Sequence, residues 1–245
     1  MPTVAITLDC EAADYPRCYT RDYIKVAEEF TIPITWMIQV SGKDPMGNVQ
    51  LYYKEYLHRI PSWHEFGLHL HFEDRNGRYV EEPRERGELI QMGKDMLKQA
   101  HIKPTAFRAG SYALIPPDLK YLEDMGILVD SSAIPNADYK MFVDWDGAPT
   151  RPYHPSYEDL RKPGEARLLI VPIATADGKI AYLDQGWEVV RPILEHHLAA
   201  GTPVLCLGGY DYQDGTETLR EAILLLKKHN ARFTTLTQIV SEYTL

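Results

Sequence analysis

Short β-branched or apolar runs alternate with amphipathic ones along the whole chain, and this alternation constrains the fold more than any other feature. Thr3–Cys10 reads as a strand, Arg21–Phe30 as a helix, Pro33–Val40 as a strand and Val49–Ile60 as a helix. Glu65–His71 is a third strand. Pro83–Ala100 is an amphipathic helix, with Leu89, Ile90, Met92, Met96 and Leu97 spaced by three and four. Ala106–Ala109 follows as a strand, then a helix opened by Pro116-Pro117 and stopped at Gly126, Pro first and Gly last. Ile127–Asp130 and Leu168–Ala174 read as strands, Gln185–Ala200 as a helix and Val204–Leu207 as a strand. Thr216–His229 reads as a helix with Thr216 as its N-cap. Phe233–Leu236 gives a last strand and Thr237–Tyr243 a last helix. A βα rhythm of this kind builds a parallel sheet covered by helices. No linker-like break interrupts it, and 245 residues lie close to the roughly 250 typical of one barrel. The expectation is a single domain over residues 1–245, a distorted (β/α) barrel of about seven parallel strands; a doubly wound open sheet is the alternative.

Composition narrows the partners. With 26 Lys+Arg against 35 Asp+Glu, the net charge of −9 argues against nucleic acid or an anionic membrane surface as partner, since both require a basic face. Three cysteines, Cys10, Cys18 and Cys206, are too few for a disulfide framework. No apolar run is long enough for a transmembrane segment. The amino terminus carries no basic region or long apolar core of a leader, so the expected location is cytoplasmic. The irregular stretch Ala133–Ala166 is rich in Pro, Tyr, Asp and Trp, a length that inside a compact domain signals function or local structure.

In (β/α) barrels the reactive groups sit at the C-terminal ends of strands. The first strand ends in Asp9-Cys10-Glu11; residues i and i+2 of an extended chain share a face, so both carboxylates point one way and Cys10 into the wall. The plain alternative is two solvated acids. The third strand ends in Gly67-Leu-His-Leu-His-Phe-Glu-Asp74, where His69 and His71 share a face and two acids follow. Imidazole and carboxylate donors suit zinc and other divalent transition metals; the alternative is two hydrogen-bonded histidines. His64 and Glu65 fit a role in the turn that enters this strand. The fourth strand ends at Arg108, which can orient a catalytic or a substrate carboxylate or form a structural ion pair. The fifth ends in Asp130-Ser-Ser132 and the seventh in Gly208-Gly-Tyr-Asp211, whose glycines allow close approach of the backbone or simply a turn.

In these stretches the chain resembles the NodB-homology polysaccharide deacetylases, and most of all their branch associated with surface polysaccharide and O-antigen clusters. The motifs are Thr7-Leu-Asp-Cys-Glu11, His64-Glu-Phe-Gly-Leu-His-Leu-His71, Phe107-Arg-Ala-Gly-Ser-Tyr112 and Asp130-Ser-Ser-Ala-Ile-Pro135, in the family's order. The match is good over the first 135 residues and rests on βα rhythm beyond. The resemblance implies the family's barrel and a divalent metal ion, most readily zinc. Asp9 would be the catalytic base, Arg108 its orienting partner, and Glu11, His69 and His71 the metal ligands, with Glu73 as the alternative to His71. The substrate would be an N-acetylated carbohydrate. The ion would polarise the acyl carbonyl and activate water, and the Tyr112 backbone N–H could face the oxyanion.

The chain departs from the family where a histidine usually ends the last core strand and protonates the leaving amine. Here Leu207-Gly-Gly-Tyr-Asp211 stands instead. Asp211, or His154 from the long loop, would take over, or the activity has drifted or been lost. Beside the deacetylase stand two alternatives, a hydrolase of a small non-sugar amide and a silent carbohydrate-binding homologue. A retaining glycosidase built on Asp9 and Glu11 fits less well, because such carboxylates straddle the scissile bond. Tyr112, Trp145 and Tyr210 are expected to bind substrate, with Tyr139 and Tyr153 also in loops where aromatic faces stack on sugar rings.

Overall fold

The computed structural model of the chain describes residues 1–11, 17–41 and 53–243. Eight parallel strands form the main sheet: β1 (Thr3–Cys10), β2 (Thr35–Ser41), β3 (Glu65–His71), β4 (Ala106–Ala109), β5 (Val129–Asp130), β6 (Leu169–Ile170), β9 (Val204–Leu207) and β10 (Arg232–Thr234). From β1 to β6 they pair in sequence order. The first half of β1 pairs with β9 and β10, its second half with β2. The sheet curls into a half-barrel; just past β6, the Ala174 N–H donates to the Cys206 carbonyl of β9 at 2.9 Å. β7 (Thr175–Ala176) and β8 (Lys179–Ile180) form a small antiparallel hairpin outside it.

Every residue of β1 is buried, as expected of a strand covered on both sides. Around the sheet lie α1 (Thr20–Phe30), α2 (Pro83–Gln99), α3 (Asp118–Asp124), α4 (Trp187–Ala199), α5 (Thr216–Lys228) and α6 (Leu236–Val240). Helix α2 starts at Pro83, with Glu82 accepting from the Glu85 N–H, and buries Gly87, Ile90, Gly93 and Leu97 along one face. Its Arg86 is fully buried. It makes a two-pronged ion pair with Asp118 at 2.8 and 2.5 Å, donates to the Ala113 carbonyl, and lies 3.4 Å over the Phe72 ring. This clamp ties α2 and α3 to the segment that follows β4.

The expected barrel and the bounds of β1, β3, β4 and β9 agree with the structure. Other expectations change. Of the helix expected at Val49–Ile60, residues 49–52 lie outside the described residues; Tyr53–Leu57 is one wide helical turn. Thr216 is not the N-cap of α5: Asp214 accepts both the Thr216 N–H and its hydroxyl, and Gly215 holds the cap. The last strand ends two residues early because Thr235 starts a capping box with Gln238. The long stretch Ala133–Ala166 folds back along the sheet edge, where Tyr153 and Ile170 exchange backbone hydrogen bonds. Among the described residues no helix is long and apolar enough to cross a membrane.

Candidate active site

The parallel register aligns the ends of β1 to β4. Gln39, His69 and Arg108 are neighbours across β2, β3 and β4, and Ser41 pairs with His71. Alternation along β1 sends Thr7, Asp9 and Glu11 to the same side, while Cys10 is buried in the wall. The result is a cavity of about 300 Å³ at the C-terminal ends of the strands.

At one side of the cavity Glu11, His69 and His71 converge. Glu11 Oε1 lies 2.9 Å from His69 Nε2 and 3.5 Å from His71 Nε2, and the two Nε2 atoms are 3.2 Å apart. His69 Nδ1 faces the Arg108 carbonyl at 3.1 Å. A carbonyl only accepts, so Nδ1 carries the hydrogen, and in the neutral ring Nε2 turns a lone pair on the Glu11 carboxylate. That contact needs a cation between the two, a proton or a metal ion. Donors on a tetrahedral zinc at about 2.1 Å stand about 3.4 Å apart, close to the three separations here, so the donor set fits a divalent ion. Among the described residues this is the group able to hold one; Glu73 lies outside it. Electrostatics agree with the geometry. Burial works against the Glu11 carboxylate, but the two imidazoles outweigh it and hold its pKa well below the usual range. Burial likewise works against a charged His69, but Asp9 and Glu11 raise its pKa on balance.

Beside this cluster, Asp9 is 1% exposed and held at both oxygens. Arg108 donates to Oδ1 at 2.8 Å and the Tyr182 hydroxyl to Oδ2 at 2.7 Å. Arg108 itself is fixed by the Ser131 carbonyl at 2.9 Å, Ser131 Oγ at 3.1 Å and Thr7 Oγ1 at 2.7 Å. Its guanidinium has little freedom left, and Asp9 little with it. Behind β4, Asp130 accepts from the Ser132 N–H and hydroxyl, and Ser132 Oγ in turn accepts the Ala109 N–H. Burial pushes the Asp130 pKa up to about 7, against the Ser132 hydrogen bonds that lower it.

Two backbone features complete the wall. A Cβ on Gly110 would lie 2.5 Å from the His71 ring, so only glycine lets that imidazole sit where it does. Ser111 and Tyr112 follow with φ of 52° and 57°, a left-handed pair that costs on the order of 1 kcal/mol or more per residue. Both residues line the cavity.

The structure thus brings Asp9, Glu11, His69, His71, Arg108, Tyr112 and Tyr210 to one cavity, with Tyr139. It does not bring Asp211 or Trp145 there. Asp211 is fully buried behind Glu11: Oδ1 accepts the Glu11 N–H and Oδ2 the Tyr56 hydroxyl, both at 2.8 Å. Tyr210 bridges Asp9 at the end of the sheet and faces the cavity, while Asp211, first of the turn that follows, faces the Glu11 backbone instead. Trp145 is buried against the outside of the site, its Nε1 donating to the Tyr112 carbonyl at 3.1 Å. His154 lies between the Leu168 and Tyr243 carbonyls, and the Tyr153 hydroxyl donates to the Leu160 carbonyl. Sequence reasoning missed Tyr182, Gln185 and Tyr212, which also line the cavity. The signal for Tyr182 was Asp177-Gly178, a hairpin dipeptide that sets the β7–β8 turn just before it.

By sequence, no family model and no curated protein matches the chain. Solved structures do. A Mycobacterium smegmatis protein assigned as a polysaccharide deacetylase superposes with a TM-score of 0.67 at 16% identity, over 98% of this chain and 89% of its own. A Parabacteroides distasonis protein assigned as a glycoside hydrolase/deacetylase gives 0.65 at 14% identity, over 98% and 71%. A mutant of the peptidoglycan deacetylase PdaC of Bacillus subtilis gives 0.55 at 13%, over 98% and 90%. The chain has the fold of these proteins along its whole described length.

Proposed function

We propose that this chain is a divalent-metal-dependent deacetylase that hydrolyses the amide of an N-acetylated sugar. One observation carries the reading: three metal-suited donors and a buried, doubly held carboxylate, Asp9, face one cavity at the strand ends. The shared fold with proteins assigned as polysaccharide and peptidoglycan deacetylases supports it, and the reading treats residues 1–245 as one catalytic barrel.

Glu11, His69 and His71 would hold the ion, and two nitrogens with one oxygen suit zinc among the divalent transition metals. Bound there, a divalent ion supplies Lewis acidity towards the acyl oxygen and makes water more acidic. Asp9 takes a proton from the attacking water, with Arg108 keeping its carboxylate in place. The Tyr112 N–H, in its left-handed turn, serves the developing oxyanion. Asp211 is a positioning residue that fixes Glu11 through its backbone N–H, and Trp145 positions Tyr112 in the same manner. Tyr112, Tyr139, Tyr210 and Tyr212 offer aromatic faces to a sugar ring. Apart from Arg108, neutralised by Asp9, no Arg or Lys lines the cavity among the described residues, which suits a neutral substrate such as the N-acetylated sugars of bacterial surface glycans.

A second reading, hydrolysis of a small non-sugar amide, is favoured by the cavity of about 300 Å³, at the small end of ligand sites. Acetate release tests both. The zinc-loaded protein should release acetate from an N-acetylglucosamine oligomer, and Asp9→Asn should abolish it. Release from simple acetamides alone selects the second reading, and release from neither removes both.

A further inference from the structure

Amide hydrolysis leaves an amine, and its nitrogen must receive a proton before it departs. Of the two groups expected to give it, Asp211 faces away from the cavity and His154 is held between the Leu168 and Tyr243 carbonyls. We infer that the Tyr182 hydroxyl is the group that hands the proton to the leaving amine, in relay with Asp9. The inference rests on the amide-hydrolase reading above and adds a catalytic residue to it.

Three observations carry it. Tyr182 lines the cavity, and its hydroxyl donates to Asp9 Oδ2 at 2.7 Å, the oxygen that Arg108 leaves open. The ring has a slot made for it: a Cβ on Gly208 would lie 2.3 Å from the Tyr182 ring. The backbone on either side is pinned to that glycine, with the Gly208 N–H donating to the Ala181 carbonyl and the Leu183 N–H to the Gly208 carbonyl, both at 2.9 Å. Tyr210 and Tyr112 then flank the ring, with centroids 5.0 and 6.2 Å away.

The protons balance. The water oxygen bonds to the acyl carbon and gives one proton to Asp9. The C–N bond breaks and its electron pair goes to nitrogen. As the Tyr182 hydroxyl proton moves to that nitrogen, the proton on Asp9 moves to the Tyr182 oxygen. Carboxylate and phenol are both restored, and the acid and amine leave. Burial, and next to it the Asp9 charge, push the Tyr182 hydroxyl well above its ordinary pKa. A phenolate therefore does not build up, and the hydroxyl works by passing a proton on as it gives one away.

The test is leaving-group selectivity in the metal-loaded full chain. The substrates are an N-acetylglucosamine oligomer, whose amine must be protonated, and p-nitrophenyl acetate, whose phenolate needs no proton to leave. Tyr182→Phe should lower kcat on the amide at least about 100-fold more than on the ester, the scale of general acid catalysis. Gly208→Ala, which pushes the ring from its slot, should shift the same ratio in the same direction. Metal stoichiometry and melting temperature, measured on both variants, show whether fold and ion site stand. Equal losses on both substrates would mean that Tyr182 only positions Asp9, and would overturn the inference while leaving the hydrolase reading intact. Where only simple acetamides are turned over, they replace the oligomer as the amide in the same comparison; wild-type protein inert towards the oligomer, simple acetamides and the ester alike overturns the hydrolase reading and this inference with it.

Discussion

The Arg108 carbonyl accepts a hydrogen bond from His69 Nδ1 at 3.1 Å, and this contact decides which imidazole nitrogen faces the cavity. It couples β4 to the donor cluster: the residue whose side chain holds Asp9 uses its backbone to set the tautomer of a metal-suited histidine. Outer contacts of this kind are worth about 10–100-fold in metal affinity, and a ligand at least as much. His69→Ala and Glu11→Gln should each weaken zinc binding by about 100-fold or more, as read by calorimetric titration. An unchanged affinity in either variant would place the ion elsewhere.

Asp9 and Arg108 form a buried pair, both 1% exposed. Removing one partner of such a pair leaves the other uncompensated and costs about 3–5 kcal/mol. Arg108→Leu should therefore lower the unfolding free energy by that amount in urea denaturation. Adding Asp9→Asn to it should recover part of the loss, because the lone charge is gone. Additive losses in the double variant would show that the ion pair does not account for the burial of either group.

Gly110 makes room for His71. A methyl group there would sit 2.5 Å from the imidazole, so Gly110→Ala should move the ring and reduce zinc affinity by about 10-fold. Retained affinity in a crystal structure with His71 unmoved would contradict the steric account.

Asp130 gives a pH signature. Its pKa is raised from 3.8 to about 7 by burial, so between those values the folded chain binds the proton more tightly than the unfolded chain. Stability from this group is then greatest below about pH 4 and falls as pH rises to about 7, by roughly 4 kcal/mol at most. Asp130→Asn should flatten the decline in unfolding free energy between pH 5 and pH 8 relative to wild type. An identical slope in both proteins would mean that Asp130 ionises freely in the fold.

Much of this site is legible in the order of residues alone. Strand alternation pairs Asp9 with Glu11 and His69 with His71, and the apolar runs of β3 and β4 mark their own limits. In Gly208-Gly-Tyr-Asp211, Tyr210 still bridges the sheet and turns in, while Asp211 opens the next turn and turns away; polarity at a strand end does not say which way a side chain faces. Trp145 misled for a related reason, since a loop aromatic can stack on a ligand or support the wall behind it. Tyr182 escaped because β7 and β8 are two residues each, too short to show a period. Its position depends on Gly208, just past the end of β9, which leaves the space its ring fills. Thr216 does not cap α5 because of a local competition, in which the Asp214 carboxylate takes the Thr216 N–H and hydroxyl and Gly215 stands at the cap.

Zinc-dependent acetate release tests the metal-dependent deacetylase most directly, with the chelator-stripped chain titrated with zinc in the presence of an N-acetylglucosamine oligomer. No release is expected without metal, and release should rise with zinc and level off at one equivalent per chain. Release that is equally fast before zinc is added, or none at saturating zinc, would contradict the metal-dependent mechanism.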